Sequence, residues 1–218
     1  MTAEDGALVE PVAVAVQVNK VADLRAGQTV LVFGCGPIGL LCQAVAKASG
    51  ASRVIGVDVS QSRVNFAKEF GADGGFLSQS KPGEGQDPVQ ASRAVAETII
   101  AEFGLGDGAD VVLECTGAES CIQAGIFAAK KGGTFVQTGI GPENVTFPIT
   151  TACIRALTIK GSIRYTTGCY PRAVELIASG KIQPRKLITH RFKSEEAFEL
   201  VEKAQQDTLK VIIEGACS

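Results

Sequence analysis

Apolar and β-branched residues fall along this chain in short runs separated by stretches of helical spacing, and the alternation predicts its elements. Thr29 to Phe33 is the first run, an apolar helix-like segment follows it, and Val54 to Asp58 is the second run. Gly74 to Ser78 and Ala109 to Glu114 (ADVVLE) continue the series. Gly132 and Gly133 open a further strand, Thr134 to Gln137, and Leu157 to Ile163 alternates well enough to be a sixth. Between the runs, Ser60 is a suitable N-cap for a helix to Phe70 that Gly71 stops. Val95, Ile99 and Phe103 give Ala91 to Phe103 helical spacing, and Glu119 to about Ala129 is another helix. Strands and helices in this alternation predict an α/β fold: a doubly wound, parallel, six-stranded sheet with right-handed crossovers.

The two ends read differently. Val12, Val14, Val16 and Val18 alternate as in a strand, yet Pro11 suits the first turn of a helix and alanines fill the gaps, so Gly6 to Lys20 is expected to be helical. Gln79 to Gln90, rich in glycine, proline and glutamine, reads as a surface loop. In the tail, a helix over Tyr170 to Ser179 ends at Gly180, Leu187 to Phe192 is a short strand, Glu195 to Ala204 a charged helix, and Leu209 to Glu214 a last strand. These residues are too few for a second core, so they are expected to be half of a domain. The expected division is a leading helix over 1–20, the sheet over 21–163 and a return segment over 164–218.

The turn after the first run carries the chemistry. Gly34, Gly36 and Gly39 have the GxGxxG spacing, whose glycines turn the chain, let the backbone approach a pyrophosphate and pack helix on strand. Asp58 ends the second run 19 positions beyond Gly39, where a carboxylate accepts from the adenosine ribose hydroxyls. Together they predict a dinucleotide site of the Rossmann type. Ligands of such sheets bind at the carboxyl ends of the strands, so Asp58, Cys115 to Gly117 and Thr138 to Gly141 should converge there, although Cys115 and Thr116 read equally well as plain turn residues. Two rivals use the same residues. A membrane span would explain the uncharged stretch Ala26 to Ala46, but four glycines, Pro37, Gln28 and Gln43 interrupt it. A methyltransferase would be expected to have another acid just before the first glycine, where Val32 and Phe33 stand.

Composition narrows the partners. A net charge of −2 over 218 residues gives no basic footprint for nucleic acid or an acidic membrane surface. Seven cysteines without a CxxC pair, and no leader-like start, suggest free thiols in a reducing cytoplasm. The single histidine, His190, leaves no His/Cys set with a zinc-like spacing. A Tyr-x-x-x-Lys pair is also missing, since Cys169 follows Tyr165 by four and Val174 follows Tyr170.

The segments ALVEP, VFGCGPIGLL, VDVSQSR, GADVVLECTGAESCIQ, GGTFVQTGIG, IKGSIRY and ITHRF together resemble the medium-chain, zinc-containing polyol dehydrogenases, most closely the fungal xylitol dehydrogenases (D-xylulose reductases). The resemblance covers essentially the whole chain. It implies an NAD-dependent oxidoreductase that converts xylitol to D-xylulose by hydride transfer, with zinc acting as a Lewis acid in the full-length family. Gly34, Gly36, Pro37, Ile38 and Gly39 would hold the pyrophosphate, and Asp58 and Arg63 the adenosine end. Cys115, Thr116, Gly139, Ile140 and Ile163 would lie near the nicotinamide. Glu10 matches a glutamate beside the zinc-bound water, at most a weak ligand itself, and Arg164 an arginine near the substrate. In the family the Cys, His and Glu around zinc lie well ahead of the VEP segment, whereas nine residues precede Glu10 here. The chain is therefore expected to be an N-terminally truncated member, a coenzyme domain with a C-terminal remnant of the catalytic domain. Alternatively it is an inactive NAD-binding module that dimerises through the Leu157 to Ile163 edge strand, where Lys160 alone adds charge.

Overall fold

In a parallel sheet covered on both faces, strands read as unbroken apolar runs, and alternate side chains feed two separate cores. The computed structural model shows this arrangement; it describes residues 1–78, 85–193 and 209–214. Strands β1 (Thr29–Phe33), β2 (Arg53–Asp58), β3 (Gly74–Leu77), β4 (Ala109–Glu114), β5 (Ala129–Gln137) and β6 (Thr158–Gly161) pair in parallel in the order β3-β2-β1-β4-β5-β6. Val30, Val32, Val54, Val111 and Leu113 point to one face, beneath helices α1 (Ala3–Val21), α2 (Pro37–Ala48) and α7 (Cys169–Ala178). Leu31, Phe33, Ile55, Val57 and Val112 point to the other, beneath α4 (Pro88–Glu102), α5 (Glu119–Ala128) and α6 (Ile149–Ile154). Helix α3 (Gln61–Phe70) follows β2, and β7 (Ile188–Lys193) pairs in parallel with β8 (Lys210–Glu214) in a separate ribbon. Among the described residues no helix is long and apolar enough to cross a membrane.

Several local expectations need correction. Helix α1 begins at Ala3, because Thr2 and Asp5 form a reciprocal capping box: Asp5 N donates to Thr2 Oγ1 at 3.3 Å and Thr2 N to Asp5 Oδ2 at 2.7 Å. Pro11 therefore sits inside the helix rather than in its first turn, and its missing N–H leaves the Ala7 carbonyl without a helical donor. Asp5 also pairs with Arg185 at 3.0 Å and Glu4 with Arg191, joining the start of α1 to the tail. The Thr2 amide holds the Asp5 carboxyl below its ordinary value, and the Arg191 hydrogen bond does the same for Glu4.

Ser60 occupies the N-cap position of α3 without capping it, because its hydroxyl contacts Ser62 Oγ at 2.8 Å. Strand β5 starts at Ala129, directly after α5, so Gly132 and Gly133 lie within it near a register shift against β4. The edge strand is shorter than Leu157 to Ile163. Leu157 N caps the unanticipated helix α6 by donating to Ala152 O, and Ser162 N, just past the strand, still donates to Gln137 O at 2.9 Å. The helix expected at Glu195 to Ala204, and 79–84 of the expected loop, lie outside the described residues.

Candidate coenzyme site at the carboxyl ends of the strands

The site begins at the turn from β1 into α2, where the three glycines do three different things. Gly34 has φ +95°, its N–H donates to Val57 O at 2.7 Å, and an added Cβ would lie 2.8 Å from Thr116 Cγ2. A Cβ on Gly39 would lie 1.9 Å from Gly34 O, so turn and helix touch backbone to backbone. A Cβ on Gly36 would meet nothing within 4 Å, so this glycine faces open space. Gly36 is also the N-cap of α2 with no side-chain cap, and Pro37 occupies the first turn. The amides of Ile38 and Gly39 thus have no intrahelical acceptor, and the helix end is a ready anion site. An open cradle at Gly36 above unpartnered amides fits a pyrophosphate.

Asp58 lies beside this turn, only 8% exposed. Its Oδ2 accepts from Cys35 N at 2.8 Å and its Oδ1 from Ser60 N at 2.9 Å. One carboxylate thus fixes both the glycine turn and the start of the next loop, and each oxygen keeps a further lone pair for a hydroxyl donor. Arg63 follows on the first turn of α3, half-buried.

The loops after β4 and β5 complete the crevice. A Cβ on Gly139 would lie 2.1 Å from Gly117 N, and one on Gly141 would lie 1.9 Å from Gly117 O, so 115–118 and 138–141 are in backbone contact. Gly117, at φ +77°, turns the first of these loops. Ile140 projects outward, 85% exposed, and Ile163 beyond β6 is 71% exposed. Thr138 Oγ1 and Ser162 Oγ, at the ends of β5 and β6, are buried polar atoms without a partner. The neighbouring Cys42 thiol and partial burial push the Cys115 thiol well above its ordinary value, and burial raises Cys35 to about 12. These cysteines are protonated packing groups, not nucleophiles.

The two residues expected at the substrate end are carried by different parts of the fold. Glu10 is exposed on α1, where its charge, after the Tyr165 hydrogen bond and burial, helps raise Tyr170 to about 12. Arg164 is exposed in a left-handed conformation, φ +51°. No ion pair among the described residues joins them. Nor do three His, Cys, Asp or Glu side chains converge anywhere among the described residues, so these residues do not build a zinc site. Sequence reasoning missed Glu114, which is fully buried at the end of β4 and accepts hydrogen bonds from Thr116, Gly117 and Gln137. The available signal was an acid closing an apolar strand, as Asp58 does.

The profile of the family described as zinc-binding dehydrogenase matches residues 37–179. D-xylulose reductase A from Aspergillus niger is 43% identical over 220 residues, covering 100% of this chain and 59% of that protein. The chain thus spans less than two thirds of the length of such relatives. Among solved structures, 2R,3R-butanediol dehydrogenase from Bacillus subtilis superposes with a TM-score of 0.83 at 29% identity, over 98% of this chain and 58% of that one. A Sinorhizobium meliloti 1021 protein, described as a zinc-binding dehydrogenase bound to NADP, gives 0.81 at 30% identity over 96% and 59%.

Proposed function

This chain belongs to the zinc-binding dehydrogenase family, and on that premise we propose that it is the coenzyme-binding part of an NAD-dependent polyol dehydrogenase that converts xylitol to D-xylulose. The observation that carries the coenzyme reading is the open cradle at Gly36, flanked by uncapped α2 amides and the buried Asp58 carboxylate. When bound, the nicotinamide accepts the hydride that leaves the substrate carbon. Gly34 to Gly39 hold the pyrophosphate, and Asp58 with Arg63 hold the adenosine. Cys115, Thr116, Gly139, Ile140 and Ile163 wall the nicotinamide, and Glu10 and Arg164 face the substrate. The polyol assignment is supported by the relatives named D-xylulose reductase.

A second reading is that residues 1–218 alone bind coenzyme and self-associate without turnover. The lack of three converging metal-ligating side chains among the described residues favours it. One experiment addresses both. Residues 1–218 are assayed with NAD, zinc and xylitol beside a hybrid that carries the N-terminal part of a D-xylulose reductase. Nicotinamide reduction is expected from the hybrid and none above a metal-free control from 1–218. Turnover by 1–218 with stoichiometric zinc contradicts the second reading, and a folded hybrid inert toward xylitol contradicts the first.

Self-association is proposed through β6. It is the last strand of the sheet, and Ile159 (43% exposed) with the neighbouring Ile154 and Ile163 leaves its border apolar. Lys160, the one charge in the strand, turns inward and donates to Val21 O at 2.8 Å, so it does not guard the edge. Light scattering at micromolar concentration is expected to give the mass of a dimer, and Ile159→Lys that of a monomer. A wild-type monomer contradicts the proposal.

A further inference from the structure

The loops that wall the crevice, 115–118 and 138–141, meet through the backbone of Gly117, Gly139 and Gly141, which offer no side chain to tie them together. Polar groups converging on one residue hold them instead. Glu114 is 0% exposed, and no ion pair among the described residues involves it. Its Oε1 accepts from Thr116 N at 2.8 Å and from Thr116 Oγ1 at short range. Its Oε2 accepts from Gly117 N and from Gln137 Nε2, both at 2.8 Å. The same Gln137 amide donates to Gly139 O at 2.8 Å, reaching the second loop. The main chain repeats the pattern: Glu114 O accepts from Thr138 N and Gly139 N, both at 2.9 Å. Every partner is a donor, and the buried carboxylate satisfies all of them by accepting.

We infer that Glu114, with Gln137, is a positioning residue that clamps the 115–118 loop to the 138–141 loop and so sets the nicotinamide half of the coenzyme pocket. The inference rests on the coenzyme reading above and adds to it a cause for the pocket's shape. The cradle at Gly34 to Gly39 has its own fixings in Asp58 and in the Gly34–Gly39 backbone contact, besides the packing of Gly34 against Thr116. Loosening the clamp should therefore disturb the two halves of a dinucleotide unequally. A residue serving only general stability would lower the affinity for both halves alike, or for neither.

The test compares NAD with ADP-ribose, which lacks the nicotinamide ring, by calorimetric titration of residues 1–218, Glu114→Gln and Gln137→Met. Glu114→Gln sets an amide donor against backbone donors. Gln137→Met keeps the shape while removing both Nε2 hydrogen bonds, and it carries the test if the first variant does not fold. Each folded variant is expected to bind NAD about tenfold more weakly, the scale of one lost hydrogen bond to a charged group, with ADP-ribose changed by less than about threefold. Equal weakening of both ligands, or unchanged affinity for both in Gln137→Met, overturns the inference. A wild-type chain that binds neither ligand removes the coenzyme reading itself, and this inference with it, which is a distinguishable result.

Discussion

Gly36→Ala is expected to leave the fold intact and to cost the protein at least about tenfold in NAD affinity, roughly 1.4 kcal/mol. The added methyl meets nothing within 4 Å in the protein, so the melting temperature should stay within the small range of a neutral substitution. It stands, however, in the space that the pyrophosphate is proposed to occupy, against helix amides that must be approached closely. Gly39→Ala should do the opposite. Its methyl would lie 1.9 Å from Gly34 O and 2.9 Å from Gly34 C, so either the turn or α2 must move. Overpacking of this kind costs about 1–3 kcal/mol, and coenzyme binding should fail because the site itself is displaced. Thermal melts and NAD titrations of the two variants separate the cases. NAD affinity in Gly36→Ala equal to wild type would show that the open space is not the binding cradle.

Asp58→Ala should narrow the preference for NAD over NADP and weaken NAD binding by about tenfold or more. A carboxylate at this position repels a 2′-phosphate while it can accept from both ribose hydroxyls. The expected loss has a second source, since the side chain also accepts from Cys35 N and Ser60 N. Asp58→Asn separates the two: it keeps one carbonyl oxygen as acceptor and removes the charge, so the coenzyme preference should shift more than the melting temperature. Ser60 and Arg63 lie close enough along the chain to contact a 2′-phosphate and soften the bias. Calorimetry with both coenzymes on each variant measures it.

The sheet was legible because its strands are buried on both faces, and β1, β2 and β4 stand out as apolar runs with a residue-by-residue split between two cores. Boundaries failed where tertiary contacts or capping override local pattern. Thr2 and Asp5 start α1 earlier than the Pro11 signal suggests, and α5 runs straight into β5 without the glycine break expected at Gly132. Helix α6 is short and bounded by Pro148 and Arg155, and its six residues lack a full amphipathic repeat. The glycine turn and Asp58 could be found from spacing because their geometry is local. The clamp at Glu114 could not, since its partner Gln137 lies 23 residues away on the neighbouring strand and only the β4 to β5 pairing brings them together. For Glu10 and Arg164, spacing had no bearing on position; they were named through family resemblance, and the fold sets them on α1 and beyond β6.

The most direct test of the central claim is calorimetric titration of folded residues 1–218 with NAD and, separately, NADP. Saturable one-to-one binding is predicted, with NAD tighter by about tenfold or more, as the proposed contact of the Asp58 carboxylate with the ribose implies. Equal or tighter binding of NADP, or no binding of either, would contradict the account.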